Sequence, residues 1–234
     1  MKSFLSKSIY RVAAPGGASV PTKPVISPLD HQTPVAPELI LKAPLDEFRA
    51  LIVLDASGSM APIKEDMIGS INEFITQQKK LMEEQKTATY FTLQQFSNDV
   101  RYIQFEESLA NVIPITGKDY NISGNTGLFD GIGDMIERFQ NCTHVACVIV
   151  TDGQENASTS FTQKGIKKLI EKQQKEKNWD FIYLSQDAAG FTQGATIGIQ
   201  SVNNLQCAQE SFSQCLSNGI SNAVTSKKIF KGSA

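Results

Sequence analysis

The chain has 234 residues, 22 Lys and Arg against 24 Asp and Glu for a net charge of −2, and 41% hydrophobic residues. This is the balance of a folded globular protein, without the basic face expected of a nucleic-acid binder. No apolar run approaches the roughly 18 residues that span a bilayer.

Seven of the nine prolines (Pro15, Pro21, Pro24, Pro28, Pro34, Pro37 and Pro44) fall in the first 44 residues. Residues 1–44 therefore read as an extended arm and residues 45–234 as a single domain. The arm carries Lys2, Lys7, Arg11, Lys23 and Lys42 against Asp30 and Glu38, net +3, which leaves −5 on the domain. Basic residues without an acid before Asp30 are also the composition of an organellar transit peptide. Prolines from Pro15 onward and the lack of an apolar signal stretch favour a structural arm. Cys142, Cys147, Cys207 and Cys215 show no metal-binding spacing, and Cys207 and Cys215 would sit about 80° apart around a helix. They read as free, buried thiols of a reducing compartment, in the cytoplasm or in a particle assembled inside a cell.

Along the domain, Phe48 to Leu54 is a near-continuous apolar run of the kind buried on both faces of a sheet. Pro62 to Glu84 places Ile63, Met67, Ile71, Phe74, Ile75 and Met82 at helical spacing, with Pro62 as the first helical residue. Thr87 to Ser97 is β-branched and aromatic, and Asn98-Asp99 turns it into an antiparallel partner, Val100 to Phe105. The aromatics Phe91, Phe96 and Phe105 belong to the core. Gly127 to Gln140 reads as a helix whose Gly131 and Gly133 pack closely on the sheet. His144 to Thr151 is a buried strand, Thr162 to Lys177 a helix and Trp179 to Ser185 a strand. Thr196 to Val202 is expected as the last strand and Leu205 to Ser226 as a closing helix. This alternation gives an α/β fold: a Rossmann-like, doubly wound, mainly parallel six-stranded sheet with one antiparallel edge strand and helices on both faces.

Ligands of such a sheet bind beyond the carboxyl ends of its strands. Three segments there carry oxygen donors: Asp55-Ala56-Ser57-Gly58-Ser59, Ser123-Gly124-Asn125-Thr126-Gly127 and Thr151-Asp152-Gly153. Two carboxylates, three hydroxyls and water make a hard shell suited to a six-coordinate divalent cation. Two acids leave that cation able to accept one more anionic ligand.

The pattern Asp55-x-Ser57-x-Ser59, Thr126, Asp152 resembles the metal-ion-dependent adhesion site (MIDAS) of von Willebrand factor type A (vWA) domains, over residues 46–226. The Gln154-Glu155-Asn156 continuation and the Trp179–Leu184 strand resemble the intracellular, bacterial and viral single-domain versions. The resemblance implies direct ligation of Mg²⁺ (or Mn²⁺ or Ca²⁺) by Ser57 and Ser59. Thr126 would bind directly or through water, and Asp55 and Asp152 would orient the hydroxyls through water or hydrogen bonds. A carboxylate from a partner protein would complete the shell. Asp130, one turn after Thr126, is either a supporting acid of the site or a solvated helix residue. Gly127 departs from the Ala or Pro common in the family and would loosen the helix start.

An enzyme is the competing class. Phosphate-loop, dinucleotide and nucleophile-elbow motifs are absent, and His31 and His144 read as surface or packing residues. A Mg²⁺ hydrolase on Asp55 and Asp152 would lack a general base. The lysines of 164–177 are interleaved with Glu171 and Glu176 and read as a solvated helix face. The expected function is non-enzymatic, metal-dependent binding of another protein. The alternative is a structural component of a large assembly such as a virus capsid, with the arm packed on a neighbouring subunit.

Overall fold

The computed structural model describes residues 41, 43–44, 47–85, 88–152, 154–185, 188–200 and 203–206, with Cys215 and Asn218. All fall in one compact unit, Leu39–Ala234. Of the expected arm, only Leu41, Ala43 and Pro44 are among them; His31 and Cys207 lie outside, as does the expected closing helix apart from Cys215 and Asn218, which are helical.

The elements are β1 (Phe48–Asp55), a 3-10 turn (Gly58–Ile63), α1 (Lys64–Gln85), β2 (Thr89–Phe96), β3 (Val100–Ser108), a short 3-10 turn (Leu109–Asn111), α2 (Leu128–Phe139), β4 (Val145–Thr151), α3 (Gln163–Lys177), β5 (Trp179–Ser185), α4 (Ala188–Thr196) and β6 (Asn204–Gln206). They build one six-stranded sheet in the order β3-β2-β1-β4-β5-β6. Every neighbouring pair is parallel except β2 and β3. This is the doubly wound α/β architecture expected from the sequence.

Alternation along β1 sends its side chains to two separate cores. Phe48, Ala50, Ile52 and Leu54 pack with Met67, Ile71 and Phe74 of α1, together with Phe91. Leu51 and Val53 pack with Phe96, with Ile132 and Phe139 of α2 and with Ile166 and Ile170 of α3; Phe105 covers this cluster. All seven residues of β4 are buried, as their apolar run requires.

Some local assignments differ from the sequence reading. Pro62 lies in the 3-10 turn rather than opening α1. Within the expected strand 196–202, the described residues 196–200 form none, and Ser201 and Val202 lie outside the described residues. Instead α4 ends at a glycine cap: Gly198 adopts φ +88°, its N–H reaches the Ala195 carbonyl at 3.1 Å, and the Ile199 N–H reaches the Gly194 carbonyl at 3.2 Å. Ile197 and Ile199 fill the core of the α2 and α3 face, and the last strand among the described residues is Asn204–Gln206. Gly131 does abut the sheet, since a Cβ there would lie 2.8 Å from the Phe96 ring. Gly133 instead abuts Phe161, 2.4 Å away, in the segment before α3. Cys142 and Cys147 are free and buried, but Cys215 is disulfide-bonded, contrary to the expectation of four free thiols. The α3 lysines are exposed or half-exposed, as a solvated face requires.

The amino end of the sheet is held by a buried ion pair. Arg49, fully buried on β1, donates from Nε to Glu106 Oε1 at 2.6 Å. Its other nitrogens donate to the carbonyls of Ala43 (2.9 Å), Pro44 (2.9 Å) and Glu47 (3.0 Å). Glu106 sits at φ +47° within the irregular β2–β3 ladder, and its own N–H bonds the Thr92 hydroxyl at 2.9 Å. One guanidinium therefore satisfies four acceptors and ties the segment before β1 to the sheet edge. Removing one partner of such a pair leaves a buried charge uncompensated. Glu106→Ala is expected to lower unfolding stability by about 3–5 kcal/mol in urea titrations, and Glu106→Gln, which keeps an acceptor for Arg49, by less.

Candidate metal centre

Chain order in the sheet switches between β1 and β4: the chain leaves β1 for β2 on one flank and later returns to β4 on the other. Asp55 and Thr151 end these two strands. Asp55 is fully buried. Its Oδ1 accepts the Ser57 N–H at 2.7 Å and its Oδ2 accepts the Thr151 hydroxyl at 2.6 Å, while its carbonyl accepts the Tyr120 hydroxyl. In front of it the Ser57 and Ser59 hydroxyl oxygens are 3.0 Å apart, and Ser59 donates to Asp152 Oδ1 at 2.8 Å. Ser57 occupies the N-cap of the 3-10 turn, yet its side chain makes no capping bond. The serines are thus arranged toward each other and Asp152, unlike those of an ordinary strand-to-helix turn.

The Thr126 segment is joined to the same place through its backbone. Ser123 N–H bonds the Ala56 carbonyl at 2.8 Å, and Gly58 N–H bonds the Gly124 carbonyl at 3.0 Å. Asn98 Oδ1 receives the Asn125 N–H at 2.7 Å, and Asn156 Oδ1 receives the Thr126 N–H at 2.9 Å. Gly127 N–H then reaches the Ser97 carbonyl at 2.9 Å. Thr126 is buried within this loop.

No protein-family model matches the sequence, and no curated protein matches it. Solved structures do. Proximal thread matrix protein 1 of the mussel byssus, with zinc in its MIDAS motif, has a TM-score of 0.54 at 16% identity, over 75% of this chain and 47% of the mussel chain. The vWF domain of the type V pili tip protein Mfa5 from Porphyromonas gingivalis has a TM-score of 0.57 at 11% identity, over 79% of this chain and 96% of that one. The PilB minor pilin from Streptococcus sanguinis has a TM-score of 0.52 at 14% identity, over 76% and 62% respectively. The chain has the von Willebrand factor type A fold. It spans about half the length of the mussel protein.

Within this vWA fold the donor set suits a hard cation. No group of three or more His, Cys, Asp or Glu side chains gathers among the described residues. A cation at this end of the sheet would therefore depend on the hydroxyls as well as the two acids, and all-oxygen donors of this kind favour Mg²⁺, Ca²⁺ or Mn²⁺. The electrostatics agree. Burial pushes the Asp55 carboxyl up, Thr151 and Ser57 bonds oppose it, and the Asp152 charge adds to the rise. Two carboxylates drawn together with one desolvated are what a nearby cation would relieve.

Two vWA-site expectations change. Asp130 serves a loop: its carboxylate accepts the N–H groups of Thr159 (2.8 Å), Ser160 (3.0 Å) and Phe161 (2.9 Å) and fastens the segment before α3. Gly127 does not loosen the start of α2. A Cβ there would lie 2.5 Å from the Ser97 carbonyl oxygen, so only glycine permits the loop to close on the end of β2. Tyr120, Asn98, Glu155 and Asn156 are supporting residues that sequence reasoning did not assign. In the sequence Asn98 stood out only as a turn residue, and Glu155 and Asn156 only as part of the Gln154-Glu155-Asn156 stretch.

Gly127→Ala is expected to destabilise the domain by about 1–3 kcal/mol through this overlap. Gly69→Ala, at an exposed position of α1 with nothing within 4 Å of the added Cβ, is expected to raise stability by about 0.5–1 kcal/mol. Chemical denaturation of the two variants side by side tests the contrast.

Proposed function

We propose that the chain is a non-enzymatic binding module that holds a divalent cation, Mg²⁺ by the hardness of its donors, and through it binds an acidic side chain of a partner protein. One observation carries the reading: Ser57, Ser59 and Asp152, from two strand ends, form a continuous hydrogen-bonded run in front of the buried Asp55. Ser57, Ser59 and Thr126 would hold the cation. Asp55 would act from behind, since both its oxygens already orient Ser57 and Thr151. Asp152 would act through the Ser59 hydroxyl. A bound cation would supply an open coordination position for a carboxylate. The mussel thread matrix protein, the pilus tip protein and the minor pilin support the same reading with the setting of a thread matrix or a pilus.

Among the described residues, the hydrolase reading has no histidine near the carboxyl end of the sheet to serve as general base. His144 precedes the amino end of β4, one strand length of about 20 Å from Thr151 at the carboxyl end, and its ring bonds Thr143 at 2.9 Å.

Isothermal titration of the full chain with Mg²⁺ is expected to show saturable binding, weakened at least about tenfold by Asp55→Ala or Ser59→Ala. Equal affinity in wild type and Asp55→Ala sinks the site assignment. The arm has a separate test. Deleting residues 1–40 spares Ala43 and Pro44, which Arg49 holds, so cation affinity should be unchanged. If the arm packs on a neighbouring subunit, the truncated chain should lose self-association in sedimentation analysis.

A further inference from the structure

We infer that Asn156 and Glu155 are the positioning residues of this centre: together they set the Thr126 segment against the loop that carries Asp152. The inference rests on the reading of these residues as a cation site.

The start of α2 poses the physical problem. The first N–H groups of a helix lack internal partners, and the N-cap residue here is Gly127, which has no side chain to supply one. The loop after β4 supplies them across the site. Glu155 Oε2 accepts the Phe129 N–H at 3.0 Å, and the Ser158 hydroxyl oxygen accepts the Asp130 N–H at 3.1 Å. Thr126 and Asn156 bond in both directions, Thr126 N–H to Asn156 Oδ1 at 2.9 Å and Asn156 N–H to the Thr126 carbonyl at 3.0 Å. The Ala157 N–H adds a bond to the same carbonyl at 3.3 Å.

Glu155 is itself held. Its Oε1 accepts the N–H groups of Ala157 (2.9 Å) and Ser158 (2.7 Å), and its Oε2 accepts the Ser158 hydroxyl at 2.6 Å. A carboxylate at this position also complements the positive end of the α2 dipole. Glu155 is three positions after Asp152. The cap of α2 and the acid of the site therefore belong to one short loop, and Thr126 cannot shift relative to that loop without breaking the paired bonds to Asn156. Thr126 would thus be positioned by residues that donate nothing to the cation.

The test uses the full chain and two readouts: amide hydrogen exchange at Thr126 in metal-free protein, and Mn²⁺ affinity by titration calorimetry. Asn156→Ala is expected to speed Thr126 exchange and weaken Mn²⁺ binding, each by about tenfold. Asn156→Asp keeps an acceptor oxygen and should restore Thr126 protection. Glu155→Asp, which keeps the charge but shortens its reach to Phe129, gives a second route to the same weakening should Asn156→Ala fold poorly. Asn72→Ala is the control for general destabilisation. It removes two comparable bonds, between α1 and Ile115, and should leave Mn²⁺ affinity unchanged. Wild-type Mn²⁺ affinity and Thr126 protection in Asn156→Ala would overturn the inference and leave the cation site standing. Equal weakening by Asn72→Ala would overturn it as well. A wild-type chain that binds no Mn²⁺ would overturn the cation reading, and this inference with it.

Discussion

The carboxyl end of the sheet is organised by the carboxylate of Asp55, buried where two parallel strands end. Each of its oxygens has a fixed use. One receives the backbone of Ser57 and so bends the chain into the turn that presents the serines; the other receives Thr151 and so binds the end of β1 to the end of β4. Desolvation alone would drive this group toward its neutral form, and the donors arranged around it act in the opposite direction. A neutral side chain of similar shape could not accept both bonds equally well. The position therefore serves the turn, the strand register and the electrostatics of the candidate site together.

A second buried charge governs the other end. Arg49, six positions before Asp55 on the same strand, gathers Glu106 from β3 and three carbonyls from the segment that precedes β1. β1 is otherwise apolar and buried along its whole length, so its only charged residues are these two, close to its two ends. Both are tolerated in the interior because their hydrogen-bonding groups are met by several partners. The strand at the centre of the sheet is thereby fastened at each end by polar bonds and along its middle by two hydrophobic cores.

Between these fixed points, loops far apart in sequence cap one another. The Gly127 start of α2 lies too close to the end of β2 to carry a side chain, so its capping groups come from the loop after β4. In the same way Asp130, inside α2, fastens the segment before α3. The consequence for function is that the Thr126 segment and residues 155–158 form one hydrogen-bonded body, which suits a site whose donors must be held in place.

Much of this was determined by the sequence itself. The apolar runs of β1 and β4, the periodicity of α1 and α3 and the turn at Asn98-Asp99 specify a doubly wound sheet, because side-chain burial alone dictates those patterns. The motif Asp55-x-Ser57-x-Ser59 with Thr126 and Asp152 was legible because strand ends in such a sheet converge by topology. Tertiary structure decided what local pattern cannot encode. Ile197 and Ile199 alternate like a strand, but Gly198 ends a helix there and both side chains fill the core. Gly127 looked like a weak helix start and is a close approach to Ser97; Asp130 read equally as a site acid or a solvated helix residue and is a loop anchor. The roles of Asn156, Glu155 and Tyr120 were hidden for one physical reason: hydrogen bonds across 26 to 65 positions of chain leave no periodicity, and only the folded chain brings their partners within reach.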